Sequence, residues 1–444
     1  MSDKRVMSIR QFFSLAAIAA AGVGVGPLSA QTTAPASSTP NAAQAPASQA
    51  LSAPLALAEV LEAARQNLDV RMAQQDVAAT RADILAANRA PLPVLSAKAA
   101  SADQIGLANG ALTSQRRIDK SLGLDWTWER GGKRSLRTQA AQSIAAATQS
   151  DLAEILVLQQ LVAKDAFFDL LAAQERVTHV QAMAQSAKQL AATAQIRVNA
   201  GDLSAQDFSR VEIEAQRAQA DAQSAQLERQ RAALALAQIT GRQLRTEPVN
   251  AWRLQPQWPS ASVAVGGNAE AWLEARADVQ AATQRLLATQ ALLDNAQAQK
   301  KLDPTVGVSL DAGANASNRL VELRVQFPLQ VGYAYEGEIG RAVAQHAQAQ
   351  DQLDKVRLAA QGEWMGLQQD LTNSASRLQG YETLILPRAR KVAEQAELAY
   401  TKGAIPLVDL LDARRTLRAS LLEALTVQTE FAKAATAWQL RSRP

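Results

Sequence analysis

This 444-residue chain has no cysteine. That absence excludes disulfides, thiolate metal sites, thiol catalysis and an N-terminal lipid anchor on cysteine. Histidine is nearly missing too. Only His179 and His346 occur, both in Ala/Gln-rich stretches that read as solvated helix, and neither has an HExxH-like neighbourhood. Aromatic residues make up 4% of the chain while apolar residues reach 48%. Alanine carries that apolar share. It is the best helix former but buries little area, so the composition predicts long, thin, closely packed helices and no core of large side chains. Beyond Val25 no run of about 18 apolar residues is available to form a spanning helix.

The start of the chain has the pattern of an export signal over residues 1–30. Lys4, Arg5 and Arg10 give a basic beginning, Phe12 to Val25 is apolar, and Leu28-Ser29-Ala30 is an acceptable cleavage site before Gln31. Removing it takes away three bases and one acid (Asp3), which brings the formal charge from +4 to +2. The mature chain is then nearly neutral, and no basic stripe interleaved with aromatics appears, so nucleic acid is not an expected partner. Residues 31–54, rich in Ala, Pro, Ser and Thr, read as a flexible leader.

One order of elements then occurs twice, over 55–241 and 269–441, joined by a Pro- and Trp-rich linker, 242–268. Leu55 to Arg89 has helical periodicity and stops at Pro91 and Pro93. Its counterpart, Ala269 to Lys301, stops at Pro304. The two share LDVRMAQQDVAATRADILAA against ADVQAATQRLLATQALLDNA.

Two strand-like segments follow in each copy. In 119–128, Leu122, Leu124, Trp126 and Trp128 alternate with Ser121, Gly123, Asp125 and Thr127. In 305–312, Val306, Val308 and Leu310 alternate with Thr305, Gly307, Ser309 and Asp311. In 319–329, Val321, Leu323, Val325 and Phe327 alternate with Glu322, Arg324 and Gln326. These are period-two signals. The fourth segment, 94–104, alternates weakly and rests partly on the repeat.

A long helical stretch comes next, Glu129 to Ala200 and then Gln330 to Lys402, each of about 72 residues or about 108 Å if continuous. Each ends at a glycine suited to a left-handed C-terminal cap, Gly201 or Gly403. Ser204 is a good N-cap with Asp207 three residues on, and Pro406 suits a first helical turn. Both return helices keep steps of three and four, Phe208-Val211 through Leu236-Ile239 and Leu407-Leu410 through Ala435-Trp438. Such steps held this long mean a coiled coil. One long helix matches the two shorter ones end to end, so the shorter pair should stack along the unbroken one, with the linker at mid-height.

Strands with one apolar and one polar face, behind an export signal, have the pattern of a transmembrane β-barrel, and Trp126 and Trp128 suit its aromatic girdle. The competing reading is a soluble sheet with one buried face. Four strands leave open edges, which lipid does not tolerate, so a barrel requires oligomerisation. A dimer gives eight strands and a side-chain-filled interior. A trimer gives twelve and favours a conducting channel.

Asp409 and Asp412, three apart after Gly403 and Pro406, admit several readings: a catalytic pair, a metal site, a preference for the helix start, a pairing with Arg415, or one protomer's share of a charged ring. A coiled coil offers no pocket for a catalytic pair, and sparse His without Cys disfavours metal storage. Gly131-Gly132-Lys133 lacks the earlier glycine of a phosphate loop, since Thr127 stands there, and reads as a turn from strand to helix. Neither enzymatic activity nor a cofactor is expected.

The duplicated plan, EARADVQAATQRLLATQ and above all AYTKGAIPLVDLLDARRTL resemble the TolC-like outer-membrane efflux channels over about Leu55 to Leu440. WERGGKRSLR is similar to the CzcC-like branch that exports heavy-metal cations. The resemblance implies an α+β membrane protein. Its coiled-coil barrel of long helices runs into the periplasm, and four strands per protomer form a twelve-stranded barrel in the outer membrane as a homotrimer. It also implies hairpin tips (Gly201, Asp202, Leu203, Ser204; Gly403, Ala404, Ile405, Pro406) that meet a periplasmic adaptor (a membrane fusion protein) linked to an inner-membrane pump. Asp409 and Asp412 match the family's acidic rings at the tunnel's narrowest point, Tyr400 the tyrosine that helps hold the entrance shut, and Asp207 its aspartate partner. Where some members add an arginine after the tip glycine, this chain has Ile405, so the closed entrance rests on fewer polar links or on others such as Lys402.

The expected function is a passive export duct of a tripartite efflux system, paired with an RND-type heavy-metal pump. Drug efflux and type I secretion use the same architecture. From a different class, a structural coiled-coil envelope protein remains, though it needs neither the alternating strands nor the duplication.

Overall fold

The computed structural model describes residues 54–108, 111–241, 252–260, 266, 268–312 and 319–442, and for residues 101–118 the backbone alone. The signal segment, residues 31–53 of the leader, and linker residues 242–251, 261–265 and 267 lie outside the described residues. The first copy contains α1 (Leu57–Ala64), α2 (Leu68–Ala87), β1 (Val94–Ala108), β2 (Ala111–Thr127), α3 (Lys133–Asn199) and α4 (Ala205–Thr240). The second contains α5 (Ala269–Ala275), α6 (Ala277–Ala298), β3 (Thr305–Ala312), β4 (Arg319–Gln326), α7 (Glu336–Gly380), a π-turn (Tyr381–Ile385), α8 (Leu386–Thr401) and α9 (Leu407–Ser442).

Three features depart from the expected boundaries. The stretch read as one helix from Leu55 to Arg89 is two helices, parted at 65–67, and its counterpart is parted at Arg276. Asn67 makes the first break. Its amide Nδ2 donates to Gln159 Oε1 (3.0 Å) and to the Ile239 carbonyl (3.2 Å), while its Oδ1 caps α2 at the Asp69 N–H. Both long helices start later than expected, at Lys133 and Glu336. Gly131 (φ 80°) and Gly132 (φ 74°) hold a left-handed turn before the first, and Gly332 (φ 76°) and Tyr335 (φ 62°) do so before the second. The second long helix is also interrupted, because Pro387 lacks an N–H and its ring collides with the preceding turn. The π-turn absorbs this, with the Leu386 N–H reaching back five residues to the Tyr381 carbonyl.

The return helices meet the short helices end to end, as the Asn67–Ile239 bond shows for α2 and α4. In the second copy, Trp272 Nε1 on α5 donates to the Arg441 carbonyl at the end of α9 (2.7 Å). At mid-height, Val60, Ala64, Phe167, Phe168, Leu236 and Trp252 share one core, sealed by Trp258 stacked on Phe168 at 5.9 Å. The counterpart packs Trp364 between Trp272 (4.8 Å) and Trp438 (4.7 Å). Heptad positions of both return helices are buried or half-buried throughout.

The strands form one antiparallel sheet in the order β1-β2-β3-β4, so β2 and β3 join the two copies through pairs such as Trp126↔Val306 and Leu122↔Leu310. β1 runs to Ala108, past the expected end, although its alternation is weak. Pairing with β2 from Val94↔Asp125 to Ala108↔Ala111 supplies what the pattern lacks. The alternation is the reverse of that in a soluble half-buried sheet. In β3 the apolar Val306, Val308 and Leu310 are exposed, and the buried positions are Gly307 and Ser309 on the polar face. Leu323 is 74% exposed. On the polar face Arg324 Nη2 donates to Asp125 Oδ1 (2.7 Å) across β3, over Gly307, where a Cβ would lie 2.1 Å from that oxygen.

Candidate functional site

The two hairpin tips have the same backbone chemistry. At the first, the Asp202 N–H donates to the Arg197 carbonyl (2.8 Å) and the Gly201 N–H to Val198 (3.0 Å), with Gly201 at φ 82°. At the second, Ala404 donates to Ala399 (2.8 Å) and Gly403 to Tyr400 (3.0 Å), with Gly403 at φ 72°. Both are paired six-to-one and five-to-two closures around a left-handed glycine. Leu203 and Ile405 are half-buried, whereas Asp202, Ser204, Ala404 and Pro406 are exposed. Pro406 lies one residue before α9.

The tips pack on each other. Ala194, Val211, Leu407, Leu410 and Leu411 form a buried cluster with Leu203, Phe208 and Tyr400 at its margin. On α9 the apolar residues take the face toward α3 and α4, so Asp409 and Asp412 fall on the other side, both exposed. Among the described residues neither carboxylate has a hydrogen-bond or ion-pair partner. Arg415, considered as a partner for them, donates instead to Glu214 Oε2 on α4 (2.8 Å). The Glu214 hydrogen bond and charge, with a weaker contribution from Asp412, hold the Arg415 guanidinium above its ordinary pKa.

Tyr400 and Asp207 have other partners. Arg197 Nη1 donates to the Tyr400 hydroxyl (3.1 Å), and its guanidinium lies 5.6 Å from the ring centre. Asp207 Oδ2 accepts from Ser204 Oγ (2.8 Å), its N–H donates back to that oxygen (3.0 Å), and Arg210 stands 3.6 Å away. The Ser204 hydroxyl thus caps α4 and is itself held by the Asp207 carboxylate. Lys402 is exposed at the end of α8.

Sequence reasoning missed Arg197 and the ionic ties between hairpins. Besides Arg415–Glu214, Arg418 pairs with Asp221 on α4, and Lys433 donates to Asp169 on α3 (2.6 Å). Arg414 pairs with Glu397 within the second hairpin (2.8 Å). The run RRTLR after Asp412 was the available signal, but the partners of Arg415 and Arg418 lie about 200 residues away in sequence. A cavity of about 140 Å³ lies between the hairpins, lined by Val180, Met183, Leu190 and Leu411 beneath Arg414 and Arg418.

The two histidines are half-buried, and His346 Nδ1 lies 3.3 Å from Thr289 Oγ1. Among the described residues no group of three or more His, Asp or Glu is placed to hold a metal ion. No described helix is long and apolar enough to cross a membrane. At the base of the sheet, Trp126 is 62% and Trp128 72% exposed.

Paired hairpins and an outward-apolar sheet are in place, and residues 60–242 match the family model described as outer membrane efflux protein. The resemblance read from the sequence is borne out. The chain is 26% identical over 396 residues to the cobalt-zinc-cadmium resistance protein CzcC of Cupriavidus metallidurans, covering 86% of this chain and 88% of that one. Its fold is similar to that of the outer membrane protein VceC from Vibrio cholerae (TM-score 0.71, 18% identity, 87% of this chain and 95% of that one). It is also similar to a membrane protein from Pseudomonas aeruginosa (TM-score 0.69, 18% identity, 87% and 91%).

Proposed function

We infer that three copies of this chain close a twelve-stranded barrel in the outer membrane and carry a helical duct into the periplasm. The observation that carries the reading is the reversed alternation of the sheet, whose apolar residues face outward and whose buried positions lie on the polar side. In water that arrangement wastes apolar area, whereas in lipid it is the stable one. The free edges of β1 and β4 are satisfied when each pairs with a neighbouring protomer. The tips would meet a periplasmic adaptor that links the duct to an inner-membrane pump.

Asp409 and Asp412 are the residues proposed to line the entrance. Their exposed, unpaired carboxylates support this role, because a carboxylate already held by a local arginine has little field left for a passing ion. Threefold symmetry would bring about six of them together, a cation-selecting ring. Arg197–Tyr400 takes the place of the tyrosine–aspartate link in holding the entrance. The similarity to CzcC favours divalent heavy-metal cations as cargo, driven by an RND-type pump.

Planar-bilayer recording of the purified protein tests this. In a salt gradient the reversal potential should report cation selectivity. Asp409→Asn with Asp412→Asn should move it toward zero by at least half. An unchanged reversal potential removes the acids from the entrance.

A further inference from the structure

At the base of the sheet the outward-facing apolar surface ends at a ring of cations that differ in their pairing. Lys133 is buried and donates to Asp303 Oδ2 (2.7 Å) and the Lys301 carbonyl (2.8 Å). Arg137 holds Glu129 through both carboxylate oxygens (2.5 and 3.1 Å). These two arginine–acid and lysine–acid pairs build the strand-to-helix junction and use up its acids. Arg89, Arg130 and Arg134 are all exposed, and none has a carboxylate partner among the described residues. The Arg130 backbone N–H, not its guanidinium, reaches Asp303, and Arg134 Nε donates to a neutral oxygen, Asn88 Oδ1 (3.0 Å).

Arg134 also lines a cavity of about 460 Å³, which opens on the apolar side of the sheet between Pro91, Trp126, Trp128 and Val306. Glu129 is on its rim, already neutralised by Arg137. The volume is within the range of about 300–1,000 Å³ typical of ligand sites. The cavity has an apolar wall above, two exposed indoles at its mouth and an uncompensated guanidinium below. Indoles favour the headgroup level of a bilayer, and arginines there attract anionic lipid.

We propose that this cavity binds the phosphate of an anionic glycerophospholipid from the periplasmic leaflet. Arg134 contacts the phosphate, Arg130 and Arg89 add field, and Trp126 and Trp128 flank the upper acyl chains. This inference rests on the membrane-barrel reading above. It adds a specific lipid site to the barrel's general contact with outer-membrane lipid.

The test uses the full protein in phosphatidylethanolamine vesicles doped with brominated phosphatidylglycerol or brominated phosphatidylcholine, with tryptophan quenching as the readout. The other five tryptophans lie away from the sheet, in or beside the mid-height clusters, so Trp126 and Trp128 dominate the signal. Phosphatidylglycerol should quench at a lower mole fraction, by about fivefold for each contributing arginine. Arg134→Gln with Arg130→Gln should abolish the preference while leaving vesicle flotation and thermal melting unchanged. Trp126→Phe with Trp128→Phe should remove most quenching by either lipid.

Equal quenching by the two lipids in the wild type, or a preference that survives in the arginine variant, overturns the site. A preference erased by millimolar inorganic phosphate marks a free-anion site and overturns the lipid assignment. Protein that floats without lipid preference overturns this inference alone. Protein that does not float overturns the barrel as well.

Discussion

The first and second copies follow one plan but are jointed differently. In the first, the break between short helices is made by a neutral side chain, Asn67, bonded to Gln159 and to the end of α4. In the second, it is made by a charged one. Arg276 donates to Asp278 Oδ1 and Oδ2 (2.9 and 2.7 Å) and to Glu363 Oε2 (2.7 Å), and lies 4.8 Å from the Trp272 ring. Arg441 then joins Glu363 to Glu154 on α3. One buried cation of the first copy, Lys164, has among the described residues its neighbour Asp165 (2.7 Å) and the Lys433 carbonyl (2.9 Å) as partners. Burial therefore lowers the Lys164 pKa. Arg276 feels burial too, yet its two carboxylates outweigh it and raise its pKa. The two halves share the positions of these joints and differ in their physics.

The largest expected effect follows from that contrast. Arg276→Met leaves Asp278 without its guanidinium and Glu363 with Arg441 alone, and should cost about 3 kcal/mol, the low end for breaking a buried pair. Asn67→Ala removes a cap and two hydrogen bonds and should cost about 1–2 kcal/mol. Thermal melting of the two variants reads the difference. The acid limb sharpens it. Burial pushes the Asp278 carboxyl up, but the Arg276 hydrogen bond and charge, with the Val279 N–H, bring it below the ordinary carboxylate value. A folded pKa below the unfolded one gives stability that is present above the unfolded value and lost as pH falls through the folded one. Wild type should therefore lose stability below about pH 4 more steeply than Arg276→Met. Parallel acid limbs would mean that Arg276 and Asp278 are not coupled.

Lys164 has the same sign of pH dependence as Asp278 but in the alkaline range, and its removal should act on stability in the opposite direction to that of Arg276. Its folded pKa is below its unfolded one, so the folded state holds fewer protons and stability rises as pH climbs from the folded value toward the unfolded one. Lys164→Met should be neutral or stabilising by about 1 kcal/mol at pH 7, because a weakly paired buried charge is removed. It should also abolish the alkaline rise in melting temperature. A clear loss of stability at pH 7 would show that Lys164 is as well satisfied as Arg276, and the contrast between the copies would fall.

How much of this was legible depends on the range of the forces involved. Val306 to Leu310 and Val321 to Val325 carry their strands in local alternation, and Gly201 and Gly403 carry their turns in local backbone freedom. Those elements could be read from neighbours in sequence. The breaks at Asn67 and Arg276 could not, because both positions continue a helical pattern and are turned out of it by Gln159 and Glu363, about 90 residues away. The Arg197–Tyr400 bond was not legible for a similar reason. Arg197 is one residue of many on a long polar helix face, and only the packing of two tips selects it. Asp409 and Asp412 were found through a motif, and their exposure depends on which face of α9 the hydrophobic cluster takes.

The smallest expected effect concerns the long helices. Pro387 was visible in the sequence, but the helical period on both sides of it read straight through. A proline inside a helix leaves the carbonyl four residues back without its donor and crowds that same carbonyl with its ring. The π-turn at Tyr381–Ile385 relieves the crowding by shifting the register one residue, at the expense of weaker bonds around it, and no residue of the turn is buried. The matching stretch of α3, near Val177 to Ala184, is continuous and packed against Ala218, Ala222 and Ala225. Amide exchange should therefore be faster across 381–388 than across 177–184, by about tenfold for each 1.4 kcal/mol of lost local protection. Pro387→Ala restores the missing donor and should slow exchange in the first window while leaving the second alone. If both windows exchange alike in the wild type, the π-turn is as firm as regular helix. The second copy would then differ from the first in its charges and not in its stiffness, so the lower half of its long helix would move only as one piece with the upper.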